Sequence, residues 1–163
     1  MSESGSSVRS EGSSPRLRVI LDANLYLSYF LPPVDRSRTI YRLVDLLVRG
    51  AFQLVLPEEL IDEVYSVIRA KPFFRDRISE QGARGAMADI VRWADIPPRL
   101  SDIPGVVRDP KDDYLIAHAI LGRVDFLVTG DRDLLALDGE VDPLQIVTAA
   151  AFLQIVEPDA GDS

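Results

Sequence analysis

The chain has 163 residues, 47% apolar and 27% charged, the proportions of one globular domain with a single sizeable core. It has no cysteine and one histidine, His118, which excludes disulfides, thiolate metal sites, thiol nucleophiles and chemistry needing paired imidazoles. A formal net charge of -8 argues against non-specific nucleic-acid binding but not against acids gathered around a metal ion, and arginine supplies 16 of the 18 cations.

Residues 1–15, "MSESGSSVRSEGSSP", lack apolar periodicity and read as a disordered tail. No run is long and apolar enough to span a membrane, and no charged-then-apolar leader is seen, so the expected location is the cytoplasm. Strand-like runs stand at 17–21, 52–56, 125–129 and 144–148, with a weaker fifth around 93–96. Helical patterns fall at 24–30, 37–49, 57–70, 74–92, 113–121, 132–136 and 149–154. This alternation predicts an α/β domain with a mostly parallel sheet over residues 16–156, followed by a short tail at 157–163.

Ligands bind outside the carboxyl ends of strands in open parallel sheets. Asp22 ends the first strand in "VILDAN", and Asp131 follows a later one in "FLVTGDRD", beyond a glycine. Asp113 begins a helix in "DPKDDYLIAHA", with Asp112 beside it able to exchange roles. Taken singly, each acid is also explained as a helix cap. In "PEELIDEVYSVIR", Leu60, Ile61, Val64, Val67 and Ile68 form one apolar arc. Glu63 borders that arc, whereas Glu58, Glu59 and Asp62 are expected to point towards water. Four acids converging on one sheet edge repel, by about 4 kcal/mol per pair at 4 Å and an effective dielectric near 20, and call for protons or a cation. Oxygen ligands alone select a hard ion, Mg²⁺ or Mn²⁺, whose characteristic chemistry is on phosphate.

In this order and spacing the four segments resemble the PIN-domain ribonucleases, most of all the bacterial toxins of type II toxin-antitoxin systems that include the VapC proteins. The resemblance runs from about Arg18 to Phe152. It implies a three-layer α/β/α sandwich with a five-stranded parallel sheet. It also implies metal-dependent endonucleolytic hydrolysis of RNA, leaving a 5'-phosphate and a 3'-hydroxyl. By position it puts catalytic and metal-binding roles on Asp22, Glu63, Asp113 and Asp131, with Asn24, Thr129 and Asp133 as accessory polar residues. Asp112 stays open as the alternative to Asp113. An antitoxin partner and a homodimer are further implications of the family.

Substrate grip is expected from "RAKPFFRDR", where Arg69, Lys71, Arg75 and Arg77 surround Phe73 and Phe74. The bland reading is that the phenylalanines are core and the cations solvated, and His118, among apolar helix residues, reads as structural. Two competing functions remain open. A haloacid-dehalogenase-like phosphatase would use Lys111 and "GDRDLLALD", but needs an aspartate where Asn24 stands. A PIN-like module that binds RNA or protein without cutting is the other.

Overall fold

In the computed structural model, which describes residues 16–106 and 113–157, Val19, Ile20 and Leu21 are all buried, as are Leu54, Val55 and Leu56. Successive strand side chains point to opposite faces, so both faces of this sheet are covered by helices. Near-continuous Val/Ile/Leu runs have that meaning in a parallel sheet. The N-terminal tail, Lys111, Asp112 and all of the C-terminal tail beyond Glu157 lie outside the described residues.

Five strands form one sheet: β1 (Leu17–Leu21), β2 (Phe52–Val55), β3 (Ala94–Asp95), β4 (Phe126–Val128) and β5 (Gln145–Val147). The order is β3-β2-β1-β4-β5, and every pairing is parallel. The chain therefore steps outward from β1 to β3, then returns to lay β4 on the other side of β1. That reversal makes the carboxyl ends of β1 and β4 the topological switch point, where a crevice opens in such sheets. The weak fifth strand read at 93–96 is the short edge strand β3.

The α-helices are α1 (Ala23–Phe30), α2 (Arg38–Val48), α3 (Glu58–Ala70), α4 (Pro72–Arg75), α5 (Glu80–Val91), α6 (Tyr114–Leu121), α7 (Arg132–Leu135) and α8 (Ala149–Val156). Short 3-10 turns occupy Pro33–Asp35 and Leu100–Asp102. Among the described residues no helix is long and apolar enough to cross a membrane.

The single helix expected over 74–92 is two helices. Ile78 is buried between them, and Ser79 turns extended to cap α5, its hydroxyl accepting from the Gly82 N–H at 2.9 Å. A side-chain cap at that point replaces the hydrogen bonds that a continuous helix would make. The end of α2 follows its sequence signal more closely, since Gly50 takes φ +80°, a conformation open to glycine, as the chain turns into β2.

Phe152 of α8 is fully buried, with ring centroids 5.4 Å from Phe52 and 5.5 Å from Phe126, both in edge-on geometry. Phe52 and Phe126 begin their strands, so this aromatic cluster seals the amino end of the sheet. The opposite end is left for the acids. Beyond α8, Glu157 pairs with Arg42 of α2, which ties it to the domain.

Candidate active site

Asp22 leaves β1 with its backbone still in the sheet, its N–H donating to the Val128 carbonyl at 2.9 Å. Its side chain is 8% exposed and accepts twice. Oδ1 takes the Ala23 N–H at 2.7 Å, capping α1, and Oδ2 takes the Thr129 hydroxyl at 2.5 Å. Thr129, 2% exposed, in turn accepts the Asp131 N–H at 3.0 Å. One hydroxyl at the switch point thus orients the acid after β1 and the backbone that presents the acid after β4. Asp131 caps α7 through Oδ1, which accepts the Asp133 N–H at 2.8 Å.

Across the crevice, Glu63 is half-buried on α3, where the apolar arc of Leu60, Val64 and Ile68 packs against the core. Its carboxylate accepts the phenol of Tyr114, a residue that the sequence did not single out. Burial pushes that phenol up from its ordinary range, and its bond to Glu63 and the charges of Glu63, Asp113 and Asp22 push it the same way. It is therefore a neutral donor throughout the useful pH range. Asp113 caps α6, Oδ1 accepting from the Leu115 N–H at 2.8 Å. Burial first, and Asp22 second, likewise raise Tyr26 on α1.

Asp22, Glu63, Asp113 and Asp131 line a single cavity of about 330 Å³, with Asn24 at its wall. The four acids assigned from sequence thus meet in space. The helix-cap readings also hold, because Asp22, Asp113 and Asp131 each cap a helix while lining the cavity. Among the described residues no group of three or more His, Asp or Glu side chains is arranged to hold a metal ion as placed. Thr129 touches the site through Asp22, whereas Asp133 is an exposed residue of α7 outside the cavity wall.

Of the four cations expected to grip a substrate, Lys71 lines the cavity and Arg69, Arg75 and Arg77 do not. Arg77 instead lies over the Phe73 ring, 4.0 Å from its centroid, and donates to the Phe73 carbonyl at 2.9 Å. Phe74 packs on the core and Phe73 is half exposed, so the core reading holds for one of the pair.

Glu59 departs from expectation. Rather than facing water, it turns inward to His118 Nε2 at 2.9 Å and accepts the Leu100 N–H at 2.9 Å. Partial burial pushes its carboxyl up, but the bonds from backbone and His118 outweigh that and hold it below the ordinary value. His118 is 2% exposed and serves as a buried strut, as its apolar neighbours implied. Glu58 and Asp62, on the same helix as Glu59, share Arg99, at 2.9 and 2.7 Å. These partners lie about 40 to 60 positions away in sequence, where no local pattern points to them.

A PIN-domain family model matches residues 18–133, spanning all four acids. Among curated proteins none matches the sequence. Among solved structures, the fold is similar to a chain in the crystal structure of VapBC2 from Rickettsia felis bound to a DNA fragment from their promoter. The TM-score is 0.51 at 13% identity, over 80% of this chain and 97% of that one. With a parallel five-stranded sheet, acids gathered at its switch point and a family match over most of its length, the chain belongs to the PIN-domain family.

Proposed function

We propose that this protein is a divalent-metal-dependent endoribonuclease that works in the cytoplasm as the toxin of a toxin-antitoxin pair. The observation that carries the proposal is the meeting of Asp22, Glu63, Asp113 and Asp131 in one cavity at the β1/β4 switch point. The family match and the likeness to a VapBC2 chain support the toxin reading, with RNA as substrate and a small antitoxin as partner.

The donor set fits Mg²⁺ or Mn²⁺, being hard carboxylate oxygen without sulfur or imidazole. Each carboxylate has two oxygens and about four acceptor positions, so a cap bond does not exhaust it. Asp113 and Asp131 are exposed, and side-chain rotation at such positions takes nanoseconds or less, within easy reach of a site that closes around an ion. When bound, the ion supplies charge stabilisation to a phosphodiester and acidifies a water. Asp22 is buried and is held by the Ala23 N–H and the Thr129 hydroxyl, which sets its position. Glu63 is oriented by the Tyr114 phenol. No side-chain nucleophile is required.

Purified full-length protein is to be incubated with single-stranded and stem-loop RNA, with Mn²⁺, Mg²⁺ or EDTA. Cleavage leaving 5'-phosphates, abolished by EDTA and reduced at least about 100-fold in Asp22→Asn and Asp131→Asn, is the expected result. Cleavage that persists in both variants overturns the assignment. Turnover of p-nitrophenyl phosphate with inert RNA favours the phosphatase reading instead.

A further inference from the structure

The helix that delivers Glu63 does not stop at the acids. Glu63 and Val67 lie one turn apart on α3, and Lys71, at the same spacing again, follows its last residue; all three line the acid cavity. Lys71 is the basic side chain of that wall among the described residues. Among the described residues it nevertheless forms no ion pair with any of the four carboxylates that line the cavity with it.

Its backbone is fixed. Lys71 precedes Pro72, which disfavours helical geometry, and it adopts φ -101°, ψ 118°. Its N–H donates to the Val67 carbonyl at 2.9 Å, and its carbonyl accepts from Phe74 and Arg75 at 3.1 and 2.9 Å. Both the end of α3 and the start of α4 therefore hold the base of the side chain against the cavity mouth. Eight residues at about 1.5 Å each place it about 12 Å along the helix from Glu63. That sets its backbone two turns beyond Glu63, at the far end of the shared cavity wall.

Resting on the ribonuclease reading above, we propose that Lys71 binds a backbone phosphate flanking the bond to be cut, giving the acid cavity a cationic extension that tracks a single-stranded RNA. An exposed lysine is a point charge suited to a phosphate whose orientation varies. Lys71 thereby offsets, one nucleotide step or more from the scissile bond, the repulsion that an acidic site presents to a polyanion.

The test measures binding of fluorescein-labelled single-stranded RNA to full-length Asp131→Asn protein and to the same protein carrying Lys71→Gln or Lys71→Arg, by anisotropy from 50 to 300 mM KCl. Each phosphate contact on a single strand contributes about 0.7 to the slope of log K against log salt. Lys71→Gln is expected to lower that slope by about 0.7, Lys71→Arg to retain it, and Arg49→Gln, an exposed change paired with Asp45 elsewhere, to leave it unaltered. In the Asp131-intact protein, Lys71→Gln is expected to raise KM, with a deficit that grows as the substrate lengthens from two to six nucleotides. An unaltered slope in Lys71→Gln overturns the inference while leaving the ribonuclease reading intact, and an equal deficit on a dinucleoside monophosphate overturns the flanking assignment. A wild-type chain that neither binds nor cuts RNA removes both.

Discussion

Thr129 donates its hydroxyl to Asp22 across 107 positions of sequence, and the same oxygen receives the backbone N–H of Asp131. The two acids at the switch point are therefore mechanically joined through one buried atom. Thr129→Val keeps the shape and removes both bonds, leaving a buried carboxylate oxygen without its donor. A loss of about 1–3 kcal/mol is expected in urea denaturation. RNA cleavage should fall further than stability explains, as Asp22 loses its fixed orientation. Unchanged cleavage in a well-folded Thr129→Val protein would show that the hydroxyl has only a structural part.

On the proposed metal-dependent reading, a cation answers the charge of the four carboxylates that line one cavity. Mn²⁺ should accordingly raise the melting temperature of the wild type, by an amount equivalent to about 2.7 kcal/mol at 100 times its dissociation constant. Asp22→Asn combined with Asp131→Asn should abolish that rise and leave the metal-free protein no less stable, since asparagine also caps helices. Tyr114→Phe, which releases Glu63, should weaken Mn²⁺ binding about 10- to 100-fold by titration calorimetry. Tighter binding in Tyr114→Phe would mean that the phenol competes with the ion.

Glu59 is held below its ordinary value of 4.5 by backbone and His118 bonds that outweigh the effect of burial. Between its folded and unfolded values the unfolded chain binds more protons, so this group stabilises the fold fully above about pH 4.5. That contribution disappears as pH falls through the lower, folded value. Glu59→Gln should flatten the stability profile below pH 4.5. Glu59→Ala should cost about 1–3 kcal/mol at pH 7, because His118 is then buried without a partner. Chemical denaturation at pH 3.5, 4.5 and 7 compares the three proteins.

Ser79 separates α4 from α5 by capping the second helix. Ser79→Ala is expected to lower stability by about 0.5–2 kcal/mol without altering RNA cleavage, since the cap lies outside the cavity wall. Denaturation midpoints and initial cleavage rates measured side by side decide it.

What could be read in advance divides along the range of the interactions. Asp22 and Asp131 were legible because each follows a short apolar run that alternates with helical patterns as a buried strand does, and parallel sheets gather ligands at that end. Glu63 was legible from helical phase alone. Tyr114 was not, since it is tied to Glu63 over 51 positions and sits where an apolar helix residue is equally at home. Glu59 was misread for the same reason: its phase on α3 points away from the apolar arc, but His118 and Leu100 come from elsewhere to meet it. The break at Ser79 was hidden because the residues on either side of it keep a helical spacing, and only a competing side-chain bond ends the run.

The return of β4 to lie beside β1 has a consequence in time as well as space. As the chain emerges from the ribosome, Asp22 and Glu63 are both made well before Thr129, which braces Asp22, and before Asp131 on the facing wall. The central strand β1 waits with one edge open until β4 has been made. The cavity that gathers the four acids is therefore incomplete until β4 and the residues that follow it have been made.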